Sequence, residues 1–197
     1  MSKTENSSKL IAECAFNLFR KQGFTATTVA DICNAAGITK TTFYYHYKSK
    51  QELLQTGLLR PVLADSITLQ HIFAAESCWK QLWLLTDNAI KNYLSVGPEI
   101  VREILQMNLI KNIGTFDIPG EEFFQITEPL VLRAQASGEI RNHSKPASLI
   151  FQCWKIQTGC ILLWCIKGSD FDLRREFLRA LEVAYDVSPE YRFELED

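Results

Sequence analysis

The stretch TTVADICNAAGITKTTFYYHY, residues 27 to 47, contains two short helices and the turn between them. Thr28 and Asp31 have the spacing of a capping box, which predicts the start of the first helix. Gly37 can take the left-handed conformation that ends this helix. Thr39 follows after one residue and is a good N-cap for the second helix. Because the turn is so short, the pattern predicts a helix-turn-helix.

The second of these helices, residues 40 to 47, has an unusually polar and aromatic surface. In a helix-turn-helix this element lies in the major groove, where hydroxyl groups, imidazole and ammonium can meet phosphates and base edges. Another interpretation is a solvated helix whose tyrosines pack partly on the core, and for Tyr47 we favour it. The candidate DNA-binding residues on this helix and at its N-cap are Thr39, Lys40, Thr41, Thr42, Tyr44, Tyr45 and His46.

Two further helices flank this pair. Apolar residues from Leu10 to Phe19 recur at helical spacing and predict a preceding helix, which Ser7 or Ser8 can cap and Gly23 can end. Ser49-x-x-Glu52 is another capping box and predicts a helix directly after the second one.

The rest of the chain shows helical periodicity and no strand pattern. Turn residues interrupt it near residues 97, 114–120, 137 and 168. The prediction is an all-α chain, with a three-helix DNA-binding head at residues 1–50 and a larger helical body at residues 51–197, about nine helices.

Charge and composition limit the function. Residues 1–60 carry a net charge of +4 and residues 61–197 a net charge of −6, so only the first part suits phosphates. No apolar run reaches the roughly 18 residues of a membrane span, and no signal peptide is recognisable, so we expect a cytoplasmic protein without a membrane partner.

The sequence contains no recognisable motif for catalysis, metal binding or cofactor binding. The sequence has no glycine-rich phosphate loop, no Ser/His/Asp set in a familiar context and no metal-spaced ligands. We therefore predict no enzyme, no metal and no cofactor. The six scattered cysteines indicate neither a zinc site nor a disulfide framework, and redox sensing by one of them stays an alternative.

An ordered residue pattern covers the N-terminal quarter of the chain. It consists of Phe19-x-x-x-Gly23-Phe24-x-x-Thr27-Thr28-Val29-x-x-Ile32 and Ala36-Gly37-Ile38-Thr39-Lys40-x-Thr42-x-Tyr44-x-His46-Tyr47-Lys48-Ser49-Lys50-x-x-Leu53. This pattern resembles the DNA-binding domain of the TetR (AcrR) family. The resemblance implies that Thr28 and Thr42 touch phosphates and that His46 and Lys50 clamp the DNA backbone. Thr41 stands where the family usually has Gly, and Tyr47 where it usually has Phe.

The resemblance also implies a homodimer, formed when the last two helices pair with their copies. A short match at residues 136–141, before Pro146, extends the resemblance into the body. Packing within one chain is an equally good explanation for each interface candidate. These candidates are Cys153, Ile156, Cys160, Leu163, Leu178, Leu181 and Tyr185.

The family mechanism further implies a small-molecule effector bound in the body. Aromatic residues with a few polar groups suit such a pocket, and the candidates are Phe73, Trp83, Phe123, Phe124, Trp154 and Gln157. The predicted function is a transcription regulator, a repressor on a palindromic operator in double-stranded DNA, tuned by that effector. The alternative is a ligand-independent DNA-binding or adaptor protein controlled by a protein partner, and an enclosed cavity with inward polar groups would distinguish the two.

Overall fold

The computed structural model describes residues 3–58 and 66–195. These residues form ten α-helices, and their extended backbone pairs at one isolated bridge, between Ile140 and Val187. The predicted all-α fold class is confirmed. The helices are α1 (Lys3–Gln22), α2 (Val29–Ala36), α3 (Lys40–His46), α4 (Lys50–Leu58), α5 (Ser66–Phe73), α6 (Cys78–Val96), α7 (Pro98–Ile110), α8 (Glu121–Ala136), α9 (Pro146–Ile166) and α10 (Leu173–Tyr185).

The helices fall into two compact units, each discontinuous in sequence. The first unit contains α1 to α4, the end of α6 from Tyr93, and α7. The second contains α5, the larger part of α6, and α8 to α10. This grouping differs from the predicted linear division at residue 50, because α7 belongs with the N-terminal helices.

Apolar side chains of α1 form the centre of the first unit. Ile11 and Phe19 are buried, and the Phe19 ring packs edge-on against Phe24 with centroids 5.0 Å apart. Gly23 ends α1 with φ at 84°, and its N–H donates to the Phe19 carbonyl at 2.9 Å, as predicted. The predicted start at Ser7 or Ser8 is wrong, because α1 already begins at Lys3.

A buried carboxylate joins α6 to α10 in the second unit. The Asp87 side chain is 2% exposed, and the Arg174 guanidinium binds it through Nε at 2.7 Å and Nη2 at 2.9 Å. Lys91 adds a third contact at 2.9 Å. The charge is therefore fully paired, which is the condition under which a carboxylate can be buried without a large penalty.

The C-terminal part of α9, residues 159–166, is apolar around its whole circumference. An 18-residue window of this 21-residue helix has a mean hydropathy of 1.4, so by length and composition α9 is the one helix among the described residues that could cross a membrane. The core helix of a soluble protein passes the same test, and 39% of this segment is buried within the chain. In the structure its buried side packs against α8 and α10.

The ion pair at Asp87 predicts a large loss of stability when its main partner is removed. Arg174→Ala should lower the free energy of unfolding by about 3 kcal/mol, because it leaves a buried carboxylate short of partners. The matched control is Arg141→Ala, whose pair with Asp186 is half exposed and contributes less than about 1 kcal/mol. Urea unfolding of both variants measures the difference. Equal losses in the free energy of unfolding would contradict the conclusion that the buried pair of Arg174 with Asp87 is the more stabilising one.

Candidate nucleic-acid interface

A reciprocal hydrogen-bonded cap fixes the start of α2. The Thr28 hydroxyl accepts from the Asp31 N–H at 3.1 Å, and the Asp31 carboxylate accepts from the Thr28 N–H at 2.8 Å. The carboxylate also accepts from the Thr28 hydroxyl, and these bonds lower the pKa of Asp31. Gly37 then ends the helix in the left-handed conformation, with φ at 64° and ψ at 34°. Both features confirm the predicted helix boundaries.

A second cap and a buried ring orient α3. The Thr39 hydroxyl accepts from the Thr42 N–H at 3.1 Å, and the two hydroxyls lie 2.9 Å apart. Phe43 is fully buried. Tyr47 follows the helix in the core, and its hydroxyl donates to the Ser8 carbonyl at 3.1 Å. α3 ends at His46, one residue earlier than predicted.

The opposite side of α3 faces solvent with large aromatic rings. Tyr44 is 54% exposed and Tyr45 is 76% exposed. Each ring is steadied by an edge-on neighbour, Tyr44 by Phe43 at 5.4 Å and Tyr45 by His46 at 5.1 Å. The predicted DNA-binding residues that are exposed are Thr28, Thr39, Lys40, Thr41, Tyr44 and Tyr45, and those that are half-buried are Thr42, His46 and Lys50.

Lys50 has a role inside the head that the sequence did not indicate. Its ammonium donates to the Phe24 carbonyl at 2.5 Å and to the Thr27 carbonyl at 2.7 Å. It also lies 4.2 Å from the centre of the Phe24 ring. Burial lowers the pKa of Lys50, and the charge of Glu103 partly opposes this shift. Its contact with the DNA backbone stays a prediction.

Sequence comparison agrees with this geometry. Residues 11–56 match the family model described as bacterial regulatory proteins, tetR family. The chain carries a TetR-family DNA-binding domain. A segment of 61 positions in this chain is 44% identical to the transcriptional regulator TtgR of Pseudomonas putida. That alignment covers 31% of this chain and 26% of TtgR, so the chain spans only about a quarter of such a relative's length.

Solved structures extend the likeness of fold beyond the TetR-family domain. The regulatory protein TetR from Rhodobacter sphaeroides superposes with a TM-score of 0.60, covering 93% of this chain and 100% of its own, at 20% identity. SmeT, the repressor of the Stenotrophomonas maltophilia multidrug efflux pump SmeDEF, gives a TM-score of 0.60 over 98% and 96% at 19% identity. At such identities the comparison establishes the fold of the chain.

The second unit contains a small cavity of about 10 Å³ between α6, α8, α9 and α10. Of the six predicted pocket residues, only Phe123 lines this cavity. Trp83 instead lies in the core against Phe177 and Phe193, and Phe73 is 46% exposed. Phe124, Trp154 and Gln157 are half-buried elsewhere. The lining residues are Trp79, Leu82, Thr86, Phe123, Thr127, Ile150, Cys153, Leu181 and Tyr185.

Most of the predicted dimer contacts are internal. Five of the seven are buried in the core of a single chain, because the facing surfaces of α9 and α10 pack against each other and against α6 or α8. These five are Cys153, Cys160, Leu178, Leu181 and Tyr185. Leu163 is 53% exposed and Ile156 is half-buried, so these two remain available to a second copy.

The position of Lys50 predicts a structural effect separate from DNA binding. Lys50→Met keeps the apolar stem and removes the ammonium that donates to two carbonyl oxygens, so the free energy of unfolding should fall by about 1 kcal/mol. The control Lys48→Met changes an exposed lysine two residues away and should stay within about 0.5 kcal/mol of wild type. Urea unfolding without DNA tests this, and a neutral Lys50→Met would leave the ammonium with a role in DNA binding alone.

Proposed function

We propose that the protein is a dimeric, sequence-specific transcription regulator that binds operator DNA through α3 and responds to a small molecule. The observation that carries this proposal is the solvent-exposed face of α3, held in place by caps and by the buried Phe43. A regulatory role is supported by TtgR, which is a transcriptional regulator, and by SmeT, which is the repressor of an efflux pump. We extend repression to this chain as part of the proposal.

The exposed face of α3 suits the major groove. Tyr44 and Tyr45 present hydroxyl groups and ring edges to solvent, and Lys40 adds a cation beside them. Neighbouring exposed aromatic rings rimmed by polar residues are typical of an interaction surface, so this face suits a partner. The short helix, the tight turn and the TetR-family match together favour DNA as that partner.

The uncovered side of α9 supports a homodimer. Leu163 is 53% exposed and Ile166 is 68% exposed, and on α10 Val183 is 79% exposed. A helix that is apolar on every side is normally buried on every side. A two-fold dimer covers this surface with its own copy. It also presents two copies of α3, which gives the operator its two-fold symmetry.

The proposal for DNA binding is tested by truncating the exposed face. Lys40→Ala and Tyr45→Ala should each weaken binding to DNA flanking the protein's own gene by about tenfold or more, because each base contact is worth about 1–3 kcal/mol. A salt-titrated binding assay with non-specific competitor DNA measures this. The control Lys167→Ala removes an exposed lysine after α9 and should leave affinity unchanged. Unchanged affinity in both α3 variants, with helix content retained, would exclude this face.

The proposed dimer is tested by placing a charge on the exposed side of α9. Leu163→Glu should raise the dimer dissociation constant by about a hundredfold or more, because an unpaired carboxylate would be buried at the interface. The control Leu132→Glu alters an equally exposed leucine on α8. Sedimentation equilibrium distinguishes the two, and a Leu163→Glu protein that still dimerises as the wild type does would place the interface elsewhere.

A further inference from the structure

The cavity of the second unit is lined almost entirely by carbon. No Asp, Glu, Lys, Arg or His side chain is among its lining residues. A carboxylate or an ammonium bound there would lose its water and gain no opposite charge, which is very unfavourable. The cavity therefore selects against charged molecules.

The polar side chains that line the cavity satisfy their hydrogen bonds, with one exception. The Thr86 hydroxyl donates to the Trp83 carbonyl at 2.9 Å, and the Thr127 hydroxyl donates to the Phe123 carbonyl at 2.7 Å. Cys153 and Tyr185 are hydrogen-bonded to each other. The Thr86 bond lies within α6, the Thr127 bond lies within α8, and the bond between Cys153 and Tyr185 joins α9 to α10.

The exception is the indole N–H of Trp79. This side chain is 1% exposed, and its Nε1 makes no hydrogen bond within the described chain. A buried donor without an acceptor is destabilising, so such a group in a native fold calls for a partner. Trp79 is also held firmly. Its backbone N–H donates to the Glu139 carboxylate at 2.6 Å, and its ring lies 5.7 Å from that of Tyr185.

We propose that this cavity binds a neutral, mainly apolar molecule that carries one hydrogen-bond acceptor, and that this acceptor pairs with Nε1 of Trp79. The statement that this ligand is the effector rests on the function proposed above. Binding of such a molecule at the cavity is a separate claim that does not depend on the proposed function.

Access of the ligand requires one wall to move. A cavity of about 10 Å³ admits a single water-sized group, so a ring needs more space. Phe123 is half-buried, near the exposed first turn of α8. Pro129 lies inside α8 and lacks the N–H that would bond one turn back, which weakens the helix at that point. The first two turns of α8, with Phe123, are therefore the wall that opens.

Two probes of the same shape test the proposal. Acetophenone and α-methylstyrene differ only in a carbonyl oxygen against a methylene group, so their affinities isolate the hydrogen bond. Phe123→Ala enlarges the cavity of the full-length protein, and the control Phe124→Ala changes a neighbouring ring that does not line it. In Phe123→Ala, calorimetry should show acetophenone binding about tenfold more tightly than α-methylstyrene. Benzoate and benzylamine should bind at least tenfold more weakly than acetophenone.

Removal of the indole donor should abolish the preference. Adding Trp79→Phe to Phe123→Ala should bring the affinity ratio of the two probes to about one, whereas adding Trp83→Phe should leave it near ten. Equal affinities in Phe123→Ala, or a ratio that survives Trp79→Phe, would overturn the proposal. So would the absence of saturable binding by either probe.

If Phe123→Ala or Trp79→Phe does not fold, NMR spectra of the wild-type protein test the same proposal. The four tryptophans each give an indole ¹H–¹⁵N resonance. The spectra of Trp83→Phe, Trp154→Phe and Trp164→Phe assign three of them, which leaves the one from Trp79. Acetophenone should move this resonance downfield, as formation of a hydrogen bond does, and at equal bound fraction it should move it further downfield than α-methylstyrene. An unmoved resonance overturns the proposal.

A DNA-binding assay, first without any probe and then with acetophenone, separates the claim that the cavity binds a ligand from the claim that the protein is a DNA-binding regulator. Acetophenone binding that leaves DNA affinity unchanged supports the cavity site and removes its role as an effector site. DNA binding together with no probe binding overturns the cavity site alone.

Discussion

The left-handed turn at Gly37 and the burial of Phe43 together fix which side of α3 faces solvent. With φ at 64°, Gly37 ends α2 and lets Thr39 cap the next helix after a single intervening residue. Phe43 then occupies the core, and a helix anchored on one buried ring must present its other side outward. Tyr44 and Tyr45 are exposed for this reason, and the proposed DNA contacts depend on it.

Polar groups of the first unit divide into those used inside the fold and those left outside. Lys50 is bonded to backbone carbonyls, whereas Lys40 is exposed beside the tyrosines. The thiols of Cys33 and Cys153 also belong to the inside, since both residues are buried. Burial raises the pKa of Cys33 and, in the second unit, raises that of Cys153 to about 12, which opposes thiolate formation. Oxidation of these two thiols is therefore disfavoured.

Local features could be predicted from the sequence, and long-range packing could not. The cap at Thr28 and the stop at Gly37 depend on residues three or four positions apart, so a single stretch contains all the information. The partners of α9 are a different matter. Because residues 159–166 of this helix are apolar on every side, their periodicity does not indicate which side packs within the chain and which side stays exposed. The sequence therefore could not exclude Cys153 and Leu181 as dimer contacts, although both are buried within one chain.

A dimer with one exposed α3 in each subunit makes a specific demand on DNA, namely two copies of one short sequence related by a two-fold axis. Selection of duplexes from a random-sequence pool by the wild-type protein tests this demand most directly. We predict an enriched palindrome whose half-sites lie about one helical turn apart, or a multiple of that, protected by two chains. Recovery of sequences without a shared motif, held only by salt-sensitive binding, would contradict it.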